Sequence, residues 1–261
     1  MIGIYVPSAG RAGKIATLLA IPRKLLKDTW LCVPKDQLSD YAVELPLGLS
    51  LLEHPNSVKG IASKRDWMVG HAIRQGYKYI VMIDDDVVFA KRRKDDLTKF
   101  EAMHGEDYEN MFRRLFAELK TSGHVGMLSR EGGNRVTSKM VHNTRMTRVL
   151  GYELKILQNT REKFSDMPLM EDFHMTLALL RKGIGNTVLC DYVHNQGSSN
   201  APGGCSTYRT PELQSQAAHK LAELHSGFVK VMQKETKTAW GGGARTDVVV
   251  SWKKAFGSSE K

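Results

Sequence analysis

Apolar and polar positions along this chain switch between a period of two and a period of about 3.6, the signature of strands alternating with helices. Residues 1–6 read as a strand that runs into Pro7-Ser8-Ala9-Gly10-Arg11-Ala12-Gly13, a small-residue turn opening a helix through residue 19. A strand at 29–33 stops at Pro34, a short helix follows at 35–41, and a third strand lies at 49–52. Ser63 is placed to cap a helix, with Asp66 at the capping-box position. Met68, Val69, Ala72 and Ile73 give that helix an apolar face, and Gly76 ends it. Residues 79–83, Tyr-Ile-Val-Met-Ile, form an almost unbroken apolar run, which predicts a central strand buried on both faces.

The later pattern is more varied. Tyr108, Met111, Phe112, Leu115, Phe116 and Leu119 recur at helical spacing over 106–120, Gly123 caps that helix, and 125–128 is a strand. Residues 129–148 are too polar for a core and too long for a tight connection, so they are expected to form an acceptor-binding loop. A strand-like pattern returns at 149–157. Pro168 stands near the start of a helix that runs through Leu180 to a cap at Gly183. A strand at 187–193 leads into a Gly/Ser/Asn-rich loop at 195–208 of the kind that closes over ligands. Residues 211–234 read as a helix with Leu213, Ala217, Leu221, Leu224 and Phe228 inward, and 248–252 as a last strand before Lys253-Lys254. The alternation predicts an α/β sheet in one domain with a C-terminal extension.

Composition narrows the class. Hydrophobic residues make up 41% and charged residues 25%, as in ordinary globular chains, and no apolar run approaches a membrane span. The strand-like N-terminus lacks the charged region of a signal peptide. Cys32, Cys190 and Cys205 have no zinc-like spacing and cannot all pair, so free thiols in a reducing, cytoplasmic setting are expected. A formal net charge of +10 suits a polyanion such as DNA or a phosphate-bearing small substrate. The basic run Lys91-Arg92-Arg93-Lys94 reads as a solvated loop, with phosphate contact as the alternative.

The sharpest chemical signal follows the central strand. Asp84, Asp85 and Asp86 are adjacent acids that repel one another and gain little from packing, so a hard divalent cation with oxygen ligands is the natural companion. If the strand continues extended, Asp84 and Asp86 share one face and can reach a single Mg²⁺ or Mn²⁺, with Asp85 turned away. Arg11 in the first turn can reach a base or phosphate, or form an ordinary surface salt bridge. Lys64 and Arg65 on the first turn of their helix suit an anionic ligand as well as a solvated face. Glu171 and Asp172 open a helix, where the dipole favours acids; the functional reading makes one of them a catalytic carboxylate. His194 at a strand end is a third metal ligand or a hydrogen-bonded structural histidine.

In this order the motifs Pro7-Ser8 to Arg11, Lys64-Arg65-Asp66, Asp84-Asp85-Asp86, Glu171-Asp172 and His194 resemble a GT-A fold glycosyltransferase. More narrowly, Tyr5-Val-Pro-Ser-Ala-Gly-Arg-Ala-Gly13, Trp30-Leu-Cys-Val-Pro34 and Ile83-Asp-Asp-Asp86 resemble the TET-associated glycosyltransferases of bacteriophages, which glycosylate 5-hydroxymethylpyrimidines in DNA. The resemblance implies a mixed central sheet flanked by helices. It implies a nucleotide-sugar half at 1–90, an acceptor half at 91–210, and a C-terminal helix and basic tail at 211–261 packed on the same domain. Asp84 and Asp86 would hold Mn²⁺ or Mg²⁺ with His194 completing the site, and Pro7, Ser8, Arg11, Lys64, Arg65, Asp84 and Asp85 would bind the sugar nucleotide, a UDP-sugar. Asp172, with Glu171 as the alternative, would take the proton from the acceptor hydroxyl. The implied acceptor is DNA carrying a hydroxymethylpyrimidine, in the host cytoplasm if the gene is a phage's; segment 129–148 and Lys253-Lys254 could follow its phosphates. Three other readings stay open: a GT-A enzyme acting on a saccharide, protein or lipid-linked acceptor, a nucleotidyltransferase, and a non-catalytic DNA-binding protein on a degenerate transferase fold.

Overall fold

The computed structural model describes residues 1–43, 45–196, 208–236 and 243–258. Its first third alternates strand and crossover: β1 (Ile2–Pro7), β2 (Thr29–Pro34), α1 (Leu38–Ala42), β3 (Ser50–His54), α2 (Gly60–Arg74) and β4 (Tyr79–Ile83). β2 and β3 add to one flank of β1, and α2 then carries the chain back so that β4 pairs with the other flank, all parallel. Such a reversal leaves a crevice beyond the C-terminal ends of the two strands beside it. With Tyr5 opposite Met82, residues after Pro7 and after Ile83 emerge together at that crevice.

The chain continues through β5 (Val87–Arg92), β6 (Phe100–Ala102), α3 (Glu106–Ser122), β7 (His124–Ser129), β8 (Met140–His142), β9 (Val149–Glu153), α4 (Leu154–Thr160), α5 (Glu171–Arg181) and β10 (Thr187–Gln196). Among the described residues the sheet has the order β3-β2-β1-β4-β9-β7-β10-β5-β6, with β8 on β10. β9 lies antiparallel between β4 and β7, so the sheet is mixed. On β4, Val81 and Ile83 pack into the core on one face, Ile80 and Met82 into that on the other, and all four are fully buried. Each such side chain contributes roughly 1.5–3 kcal/mol, which explains why the run carries no polar residue. Then α6 (Pro211–Leu224), the hairpin β11 (Val229–Thr236) with β12 (Gly243–Val250), and α7 (Trp252–Gly257) close on α5 through a third apolar cluster around Leu177, Leu180, Leu221 and Ala255. Among the described residues no helix is long and apolar enough to cross a membrane.

Several local expectations are revised. The helix after the first turn is a 3-10 segment, Ala16–Ala20. α2 begins at Gly60, so Asp66 lies on its second turn; its carboxylate instead accepts from the Phe164 and Ser165 N–H groups at 2.9 and 3.0 Å, capping a separate 3-10 turn. The 91–94 run is not a solvated loop: Lys91 and Arg92 lie on β5, and buried Arg92 donates to the Cys190 carbonyl at 2.9 Å. The 129–148 segment carries β8, and 149–157 divides into β9 and α4. The predicted helix at 211–234 stops at Leu224, because Gly227 at φ 83° turns the chain and Val229, Val231, Val248 and Val250 pair across the hairpin. Trp252 opens α7, which holds Lys253 and Lys254. Residues 197–207 of the expected closing loop lie outside the described residues.

Candidate active site

Asp84–Asp86 do not continue β4; they form a turn, so strand alternation does not apply to them. Thr17 braces that turn. Its buried hydroxyl donates to the Asp84 carbonyl at 2.5 Å and accepts from Val87 N–H at 3.0 Å, while its own N–H reaches the Asp85 carbonyl at 3.2 Å. On the other side the Asp84 N–H bonds the Arg148 carbonyl at 3.0 Å. Asp85 therefore turns inward with its neighbours rather than away from them, and all three acids line one cleft.

Each acid meets a different partner. Ser8 donates to Asp85 Oδ2 at 2.5 Å, which leaves the Tyr41 hydroxyl to donate to Ser8 at 2.9 Å and to accept from Arg11 N–H at 3.0 Å. The Arg11 Nη1 bridges Asp85 at 2.5 Å and Asp86 at 2.9 Å. Arg65, with a side chain only 2% exposed, joins Asp84 at 2.9 Å to Glu171 at 3.0 Å. Its Nη1 is buried without a hydrogen-bond partner among the described residues. Burial opposes the Arg65 charge, but Asp84, Glu171 and Asp172 outweigh it and hold the guanidinium above its ordinary range. In this way α2 ties the acids after β4 to those opening α5.

α5 begins from strained backbone. Met170 before it and Arg148 across the cleft both have φ 60°, a left-handed conformation that costs a non-glycine residue roughly 1–2 kcal/mol. Glu171 is buried on Arg65, whereas Asp172 is half-buried and faces the cleft. Burial and the Glu171 charge push Asp172 up to about 7, against the pull of Arg65 and Arg145. Burial likewise raises Asp84 to about 6 despite Arg65, with Asp86 and Glu171 adding to the shift, and Asp85 is raised for the same first reason. The five carboxylates thus outnumber the two guanidinium groups locked among them.

The cleft holds about 540 Å³. Pro7, Ser8, Arg11, Lys64, Arg65 and the five acids line it, so the structure brings those sequence candidates together. His194 is not among them. β10 runs farther than its sequence pattern suggested, placing His194 opposite Phe89 inside the sheet, fully buried, and its titration falls to about 3 through desolvation and the nearby charges of Arg148 and Arg145. Gln196, two residues on, lines the cleft and donates to Asp86 at 2.7 Å. Among the described residues the one trio with metal-ligating atoms within 4.8 Å of one another is Glu162, Asp166 and His174, and it does not line this cleft. Arg145, from the segment expected to bind the acceptor, also lines the cleft, as do Phe173, Arg245 and Trp252, which the sequence reading did not single out. An adjoining groove of about 720 Å³ at the ends of β1 to β3 shares Ala9, Gly60, Lys64 and Tyr208 but none of the acids.

A model of the TET-Associated Glycosyltransferase family matches residues 2–204. Two proteins described as "Beta-glucosyl-HMC-alpha-glucosyl-transferase", from Enterobacteria phages T6 and T2, are each 24% identical over 237 residues, spanning 85% of this chain and 80% of theirs. The crystal structure of GalNAc-T7 with UDP, GalNAc and Mn²⁺ superposes with a TM-score of 0.50 and 11% identity over 75% of this chain, which spans 43% of that one. At that identity the likeness concerns the fold, which is the GT-A arrangement of a mixed sheet flanked by helices.

Proposed function

The chain belongs to the TET-associated glycosyltransferase family and is a glycosyltransferase, and from that premise we propose that it moves a sugar from a nucleoside diphosphate, a UDP-sugar, to a hydroxyl on a modified pyrimidine in DNA. One observation carries the reading: the acid turn after β4 and the raised carboxylate of Asp172 share a cleft at the sheet's reversal point.

The acid turn fits a hard divalent cation, because its oxygen donors carry more negative charge than Arg11 and Arg65 balance. Asp84 and Asp86 would hold Mn²⁺ or Mg²⁺, which when bound offsets the charge of the diphosphate and of the departing nucleotide. Ser8, Arg11 and Lys64 would contact the nucleotide, and the groove beside them has room for its nucleoside. Arg65 fixes Glu171 and the acid turn in one geometry. Asp172 is the better proton acceptor, since Glu171 is committed to Arg65 and a carboxylate near 7 is matched to a hydroxyl acceptor at neutral pH.

Mass analysis of nucleosides tests the proposal after incubation with Mn²⁺, a panel of sugar nucleotides and hydroxymethylated DNA. A hexose or pentose adduct with release of nucleoside diphosphate is expected. Pyrophosphate release would indicate nucleotidyl transfer instead, and labelling of glycans alone would move the acceptor out of DNA. The names of the two phage relatives favour a second acceptor, a glucosyl group already on hydroxymethylcytosine, so pre-glucosylated DNA belongs in the same panel.

A further inference from the structure

The wall beside Asp172 contains groups that the donor chemistry does not use. Phe173 follows Asp172 on the first turn of α5; its ring meets Trp252 edge to face at 5.3 Å between centroids, and the Arg145 guanidinium lies 4.9 Å from its centre. Arg245 pairs with Asp247 at 2.6 Å but keeps a buried Nε–H with no acceptor among the described residues, and Lys234 reaches the same Asp247 at 3.3 Å. All line the cleft. Trp252, Lys234 and Arg245 lie beyond residue 204, where the family match ends, yet the third apolar cluster fastens their segment to α5.

Aromatic rings with a guanidinium in front and cations to one side hold an unstacked base and its flanking phosphates. The unmet Arg245 donor is a deficit that a phosphate oxygen relieves. Space points the same way. Asp172 is half-buried within the cleft rather than on an open face. A paired base carries its hydroxymethyl group only one bond beyond its edge in the major groove, so an intact duplex would hold that hydroxyl away from the carboxylate.

We propose that Phe173, Trp252 and Arg145 form a subsite for the acceptor pyrimidine rotated out of the duplex, with its neighbouring phosphates on Lys234 and Arg245; this rests on the reading of DNA as acceptor. Titrating the full chain with fluorescent duplexes that carry one 5-hydroxymethylcytosine, opposite either guanine or an abasic position, tests it. Without a partner base, extrusion breaks no base pair, so the unpaired target should bind about tenfold tighter or more. Equal affinities overturn the subsite. Trp252→Leu should erase the preference and Trp252→Phe, which keeps a ring, should retain most of it; a full preference in Trp252→Leu also overturns the subsite. Nucleoside diphosphate release by the unaltered protein, measured in parallel without DNA across the sugar-nucleotide panel, separates the two ideas. No release beside a clear preference defeats the transferase reading alone, and release without a preference defeats the subsite alone.

Discussion

Arg65 and Arg145 line the same cleft in opposite circumstances. Arg65 is 2% exposed and locked between Asp84 and Glu171, while Arg145 is exposed and rests on the ring of Phe173. The contrast extends to the walls they represent. Around β1, α2 and β4 the charges of Arg11, Arg65, Glu171 and the acid turn are fixed by short hydrogen bonds before any ligand arrives, so little reorganisation remains for the chemical step. Around Phe173, Trp252 and the β11–β12 hairpin, half-exposed aromatic groups and cations offer contact area without a set geometry. A donor diphosphate has one shape and needs the first kind of wall. On the proposed reading, an acceptor in DNA arrives with variable surroundings and suits the second.

The largest expected effect breaks the contrast at its chemical end. Asp172→Asn should lower transfer by roughly 10²–10⁴-fold with donor affinity retained, read from turnover and nucleotide titration. An unimpaired rate would move the base role to Glu171. If Asp172 is the base, it must be ionised in the unaltered protein, so kcat/KM should fall about tenfold per pH unit below about 7 and level off above it.

Asp86→Ala should lower transfer by roughly 10²–10³-fold and weaken nucleotide binding in Mn²⁺. Unchanged nucleotide affinity would separate the acid turn from the donor.

Arg65→Met tests how far the donor wall depends on its buried cation. Removing one partner of a buried ion pair typically costs about 3–5 kcal/mol, measurable by urea unfolding. Asp84 titrates at about 6, and Arg65 favours its ionised form, so the loss should be larger at pH 8 than at pH 5, where protonation already relieves the carboxylate. An equal loss at both values would mean that Arg65 acts by packing alone.

The smallest effects compare two pairs of cations. If Lys234 and Arg245 meet phosphates, replacing both with Ala should make the salt dependence of DNA binding shallower by about 2, from roughly 0.9 per contact. Replacing Lys253 and Lys254 should change the slope by less, because Lys254 donates to the Gly227 carbonyl at 3.2 Å and sits over Phe228. A reversed outcome would shift the phosphate track from the hairpin to α7.

The apolar run at 79–83 and the three acids after it were legible in the chain because burial on both faces and the concentration of like charge are properties of neighbours in sequence. The stripe from Tyr108 to Leu119 was readable for the same reason. Local pattern also set the first crossover units, and with them the crevice where Ser8 and Asp85 meet. It could not decide which partner each acid would take, since Arg65 lies 106 positions from Glu171 and Gln196 lies 110 from Asp86. Of the two readings left open for His194, the chain could not choose, because the end of a strand depends on its neighbours: β5 extends the ladder past Val193 and turns the histidine into the sheet. The hairpin and α7 became a wall of the cleft through packing on α5, a contact between segments that share no local pattern. Sequence by itself determined which segments could be buried and where charge accumulated, because both follow from adjacent residues; only the tertiary structure decided which charges were cancelled, because cancellation requires groups far apart in the chain to come within hydrogen-bonding distance.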